Sequence, residues 1–113
     1  MAIFKSNPEK AVQRDIDAAT ANCERLSAKL AEFEQAVARH SDAAKQAALT
    51  GDDAELDRAE AAQRAAQDRS ATLRTALTAV EQQLEALERK KAGLAKEAVK
   101  GSQSPLRRRL QPS

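Results

Sequence analysis

The stretch Ala47–Leu56, AALTGDDAEL, decides the fold of this chain. Gly51 suits the C-terminus of a helix, because glycine readily adopts the left-handed conformation that ends many helices. Asp52, followed three residues later by Glu55, resembles a capping box, which begins a helix. The stretch therefore predicts the end of one helix and the start of another, separated by a turn over residues 50–53.

Before the turn, apolar or small residues recur at alternating intervals of four and three residues. This spacing defines a heptad seam and predicts a helix over residues 8–49. Either Ser6 or Asn7 can cap its start, since both side chains accept hydrogen bonds from free amides, and Pro8 fits the first helical position. The seam comprises Val12, Ile16, Ala19, Cys23, Leu26, Leu30, Phe33, Val37, His40, Ala44 and Ala47.

After the turn, a second seam with the same spacing predicts a helix over residues 54–100. One continuous helix is a poor explanation, because extending the first seam would place Gly51 on it and would miss Leu56. The second seam comprises Leu56, Ala59, Gln63, Ala66, Ser70, Leu73, Leu77, Val80, Leu84, Leu87, Lys91, Leu94 and Ala98.

The two seams pair if the chain folds back on itself. With the turn centred near Gly51 and Asp52, residue i faces residue 103 − i, and every seam position of the first helix meets a seam position of the second. His40 then faces Gln63, and bulky Phe33 faces small Ser70, as close packing requires. We therefore predict an all-α fold in which two long helices form an antiparallel coiled-coil hairpin over residues 8–100.

Large apolar side chains are confined to the seam. Of the fourteen Ile, Leu, Val and Phe residues between positions 10 and 98, thirteen lie on it, and the exception is Leu49 at the turn. Small residues beside the seam would allow two hairpins to pair into a four-helix bundle as a homodimer. These flanking residues are Ala36, Ala43, Ala62 and Ala76.

The composition argues against an enzyme. The 113 residues include 26 alanines, 32% are charged and 2% are aromatic, which is typical of long helices. One cysteine and one histidine cannot form a thiolate or histidine metal cluster. The sequence has no Gly-rich phosphate loop and no nucleophile elbow. We expect no catalytic residue, no cofactor, no metal site and no small-molecule substrate.

Three positions allow a chemical and a structural interpretation. His40 could act as a base or a ligand, but a polar layer with Gln63 that fixes the register is favoured. Cys23 could be a nucleophile, but a small core residue opposite Val80 is favoured. Asp52 and its neighbour could bind a cation, but helix capping explains them.

The two ends of the chain hold the candidate partner contacts. Residues 1–7 form a lead-in whose apolar pair has no place on the seam, and that pair could close the base of the hairpin or contact a partner. Residues 101–113 are expected to form a flexible basic tail, which could contact phosphates or an acidic partner. The candidate contact residues are Ile3, Phe4, Arg107, Arg108 and Arg109.

These observations favour a non-catalytic interaction or assembly module, such as an adaptor, spacer or scaffold. The protein would act through protein–protein contacts, with a partner protein, with further copies of itself, or with both. The alternative is a nucleic-acid-associated protein whose tail binds phosphate weakly. We expect no membrane association, and a single thiol without a leader peptide favours the cytoplasm. The alanine and arginine content is compatible with a bacterial or phage gene.

Overall fold

The computed structural model describes residues 7–110, and the side chains of residues 7–97. Helix α1 spans Pro8–Thr50 and helix α2 spans Asp53–Leu110, with 43 and 58 residues. No strand occurs in the described residues. The chain is an all-α helical hairpin, which confirms the predicted fold class.

Helix α1 begins at a side-chain cap. The Asn7 Oδ1 atom accepts hydrogen bonds from the backbone N–H groups of Glu9 and Lys10, at 3.0 and 3.4 Å. The Asn7 carbonyl accepts the first helical hydrogen bond, from Ala11, at 3.0 Å. Since the first amides of a helix have no partner inside it, the asparagine fixes where α1 starts.

Helix α1 ends in a Schellman motif. Gly51 has φ +76°, a conformation that L residues adopt only with strain. The Gly51 amide donates to the Ala48 carbonyl at 3.3 Å, and the Asp52 amide donates to the Ala47 carbonyl at 3.0 Å. These two bonds satisfy two of the four carbonyls that the end of a helix leaves without a partner.

Asp52 also begins α2. Its Oδ1 atom accepts the Glu55 amide at 3.1 Å, and its carbonyl accepts the Leu56 amide at 2.9 Å. The return bond of a capping box is not made, because the Asp52 amide already donates to the Ala47 carbonyl, and the Glu55 carboxylate binds Arg58 at 2.7 Å. Since Asp52 serves both helices, the connection is two residues, 51–52, and is shorter than the predicted turn over 50–53.

Helix α2 is longer than predicted. It ends at Leu110, whereas the prediction ended it at residue 100 and made residues 101–113 a flexible tail. Gly101 and Pro105 suggested the earlier end, and Pro105 does lack the N–H of one helical hydrogen bond. The leucine and arginine residues that follow have high helix propensity, which favours continuation. Residues 111–113 lie outside the described part.

The hairpin divides into two compact units. The described residues of the first are 7–20 and 81–110, and the second is Ala21–Val80. In the first unit, the Lys91 Nζ atom donates to Gln13 Oε1 at 2.6 Å. In the second, the Arg74 Nη2 atom donates to Glu34 Oε2 at 2.8 Å. Each unit therefore contains its own polar contact between the two helices.

Candidate functional site

The buried core consists of seam positions. Seven residues in the range 7–97 are buried, and five of them are alanine or serine. Small side chains allow close helix approach but contribute little apolar area. The seven are Val12, Ala19, Leu26, Ala47, Ala59, Ala66 and Ser70.

Most large seam side chains are only half-buried. Among the thirteen large apolar seam residues, Val12 and Leu26 alone are buried. The others keep part of their surface accessible along the edges of the seam. The half-buried members of the predicted set are Ile16, Leu30, Phe33, Val37, Leu73, Leu77, Val80, Leu84 and Leu87.

The polar seam residues do not form a reactive group. His40 and Gln63 are both half-buried, and no hydrogen bond joins them in the described part of the chain. Cys23 is a free thiol and is half-buried. Across residues 7–97, no three His, Cys, Asp or Glu side chains come together in a group that could hold a metal ion.

Ser70 is the buried polar residue of the core. It is 3% exposed, and its hydroxyl has no hydrogen-bond partner. By contrast, the Thr50, Thr72 and Thr75 hydroxyls each donate to the carbonyl four residues earlier, at 3.1 to 3.2 Å. A buried hydroxyl without a partner costs about 1–3 kcal/mol. The Ser70 hydroxyl therefore lowers the stability of the core.

A cleft of about 300 Å³ lies beside this serine, within the unit Ala21–Val80. It is open on one side, and its lining combines one apolar side chain with four polar or charged ones. A small residue at a seam position leaves space that a leucine would have filled. The cleft is lined by Glu34, Val37, Gln67, Ser70 and Arg74.

The rim of the cleft holds an ion pair. Arg74 and Glu34 side chains are 57% and 49% exposed, so solvent screens their attraction. It is the one ion pair of the described residues that joins α1 to α2. The other two lie within α2 and are Arg58–Glu55 and Arg89–Glu85.

The opposite flank of the same unit carries an arginine and the predicted alanines. Glu34 and Arg74 each follow a seam residue, whereas Arg69 precedes one, and these heptad positions flank the seam on opposite sides. The Arg69 guanidinium lies over the Phe33 ring, 5.6 Å from its centroid, at cation–π distance. The predicted small residues are half-buried on this second flank. They are Ala36, Ala43, Ala62 and Ala76.

Leu49 is an exposed apolar side chain at the end of α1. It is 71% exposed and lies two residues before Gly51. After the turn, the Glu55 carboxylate binds Arg58, and this hydrogen bond raises the pKa of the Arg58 guanidinium. The end of α1 therefore presents an exposed apolar side chain, and the first turn of α2 carries an exposed ion pair.

The first unit has a polar contact on the predicted seam. Lys91 is exposed and donates to the Gln13 Oε1 atom, while Gln13 Nε2 donates to Asp17 Oδ1 at 2.9 Å. The glutamine amide thus links an ammonium on α2 to a carboxylate on α1. Because these contacts are exposed to solvent, they contribute little to the stability of the hairpin.

Sequence reasoning did not identify the cleft. Its charged residues, Glu34 and Arg74, directly follow the seam residues Phe33 and Leu73. Their sequence positions could have predicted that they share a flank, because residues that directly follow corresponding seam positions of two antiparallel helices lie on the same side of the seam. Both residues line the cleft together with Val37, Gln67 and Ser70.

The predicted partner contacts at the chain ends are placed only in part. Ile3 and Phe4 lie outside the described residues. The backbone of residues 107–109 belongs to α2, while the side chains of Arg107, Arg108 and Arg109 lie outside the described part.

Within the described residues, neither helix contains a segment that is apolar enough over 18 residues to cross a membrane. Comparison of the chain with protein-family models, with curated proteins and with solved structures found no match.

Proposed function

We propose that this protein is a non-catalytic interaction and assembly module that acts through protein–protein contacts. The observation that supports it is the half-buried state of the large seam residues, of which only Val12 and Leu26 are buried in the hairpin. Apolar area that a partner covers stabilises a complex by roughly 25 cal/mol per Å². A partner helix or a second hairpin could cover these side chains.

The second support is the shape of the flanks beside the seam. Ala36 and Ala62 are half-buried and carry no side chain beyond Cβ, so they allow another helix to approach closely. Pairing of two hairpins into a four-helix bundle is the simplest such assembly. In this proposal the protein is an adaptor, spacer or scaffold and forms a homo-oligomer. It works in the cytoplasm, where the free Cys23 stays reduced.

Self-assembly is tested by the concentration dependence of unfolding. The melting temperature of the full chain should rise over a hundredfold increase in protein concentration, because association stabilises the folded state by mass action. Sedimentation equilibrium should show a mass above 12.2 kDa at the high concentration. A melting temperature and a mass that do not change with concentration would contradict self-assembly.

The second candidate is nucleic-acid association through the arginines at the end of α2. It is supported by four basic and no acidic residues in 100–113. Three arginines can neutralise about three phosphates, so binding would be weak and would fall steeply with salt. Fluorescence anisotropy with labelled RNA and DNA tests it. A version ending at Lys100 should lose binding if the tail carries it, and equal binding by both versions would exclude that mechanism.

A further inference from the structure

We infer that the flank carrying Glu34 and Arg74 binds the same flank of a second copy of this chain. The inference rests on the proposed function and names a second copy as the partner. It places that copy on the flank of Glu34 and Arg74, so the opposite flank, with Ala36 and Ala62, stays open to another helix. The inference uses only residues of the unit Ala21–Val80. The features that carry it are an ion pair with free donor and acceptor atoms, and the open cleft beside that pair.

The ion pair has capacity for further bonds. It uses one carboxylate oxygen, Glu34 Oε2, and one guanidinium nitrogen, Arg74 Nη2. A carboxylate has about four lone-pair sites, and a guanidinium has about five N–H donors. Both side chains are about half exposed. Each can therefore accept or donate further bonds while the existing pair is kept.

The charges on this flank complement themselves. Most homodimers have twofold symmetry, in which the same surface patch meets itself. Across a twofold axis at the cleft, Arg74 meets the partner's Glu34 and Glu34 meets the partner's Arg74. Four charges then alternate in sign. The Gln67 amide, which is both a donor and an acceptor, can pair with itself in the same way.

The cleft supplies space beside the ion pair. It has a volume of about 300 Å³, is open on one side, and Val37 provides an apolar wall. The Glu34 and Arg74 side chains at its rim are about half exposed, so a second copy can reach them there.

The charges of this flank fit a second copy of the chain better than they fit a segment that is only basic or only acidic. A basic segment would pair with Glu34 but would lie against Arg74, and an acidic segment would do the reverse. Like charges in contact disfavour a complex strongly. A second copy brings one carboxylate and one guanidinium to the same place, so both charges are paired.

The test uses two charge reversals in the full chain, Glu34→Arg and Arg74→Glu. Each variant alone places like charges on both sides of the interface, so self-association should weaken at least about tenfold in sedimentation equilibrium. An equimolar mixture places arginines opposite glutamates. Mixed dimers should then form with an affinity within about threefold of the unmodified protein, although neither chain has its own ion pair.

Glu32→Arg is the matched control for Glu34→Arg. It makes the same change of charge two residues away in the same unit, at an exposed residue that does not line the cleft, and should leave self-association unchanged. Circular dichroism of each variant checks that the helices are retained. Native mass spectrometry of the mixture, with one variant mass-labelled, separates mixed dimers from homodimers.

Each remaining outcome would overturn the inference. If the unmodified chain associates and both reversals associate equally well, the interface lies on another flank and the proposed function stands. If the reversals weaken association and mixing does not restore it, the loss comes from the pair within one chain. If the unmodified chain is a monomer at every concentration, both this inference and homo-oligomer formation fail.

Discussion

The Arg74 Nη2 atom lies 2.8 Å from Glu34 Oε2, across forty positions of sequence. The contact joins the two helices of the unit Ala21–Val80 beside a small cleft. Because both side chains are about half exposed, solvent screening keeps its contribution to stability small. Its importance lies in position, since it places opposite charges together on one flank of the seam.

A double-mutant cycle on this pair should give a small coupling energy. With Glu34→Ala, Arg74→Ala and the double variant, we expect a coupling of about 0.5 kcal/mol in the free energy of unfolding. Measured by denaturant unfolding at low protein concentration, it should decrease with added salt. A coupling above about 2 kcal/mol that is insensitive to salt would contradict the exposed geometry.

Ser70→Ala should stabilise the protein. The substitution removes a buried hydroxyl that has no hydrogen-bond partner, so the free energy of unfolding should rise by about 1 kcal/mol or more. Urea unfolding monitored by circular dichroism measures it.

Ser27→Ala is the control for Ser70→Ala. Ser27 is exposed in α1, so its substitution gains helix propensity without removing a buried polar group. The difference between the two variants isolates the burial effect. Equal stabilisation at the two positions would mean that the Ser70 hydroxyl carries no penalty.

Gly51→Ala and Gly93→Ala should have opposite effects. Gly51 has φ +76°, and an alanine there costs about 1–2 kcal/mol although no atom lies within 4 Å of the added Cβ. Gly93 is inside α2 with open space around it, so alanine should stabilise by about 0.5–1 kcal/mol. Thermal unfolding of both variants compares them. A stabilising Gly51→Ala would contradict the Schellman motif at the end of α1.

His40→Leu should raise the melting temperature. His40 is half-buried on the seam without a hydrogen bond to Gln63, so leucine replaces a polar side chain by an apolar one of similar size. A gain of about 1 kcal/mol corresponds to roughly 4 °C or more for a chain of this size. A clear fall in melting temperature would show that the histidine makes an interaction that an apolar side chain cannot replace.

The sequence contained enough information to predict the hairpin. Gly51 and Asp52 interrupt the heptad pattern with residues that end and begin helices, and the structure has both caps there. The buried residues, from Val12 to Ser70, fall on seam positions because burial of helices follows their apolar period. Local capping chemistry and periodicity were sufficient for these features.

The cleft and the end of α2 were harder to predict. The cleft depends on how Ser70 packs beside Val37, and the heptad pattern alone does not resolve packing at that level. The end of α2 depends on competition between the stop signals at Gly101 and Pro105 and the propensity of the residues that follow. Packing at the cleft and the end of α2 are each decided by small differences in free energy, which a sequence pattern does not reveal.

Affinity capture of the full chain from host lysate, with and without nuclease, tests the central claim most directly. A parallel capture with a version ending at Lys100 separates the hairpin from its arginine-rich end. We predict that a defined protein, either another copy of this chain or a different polypeptide, is recovered equally after nuclease treatment and after truncation. Recovery that disappears with nuclease or with loss of residues 101–113 would contradict an interaction module built on the hairpin.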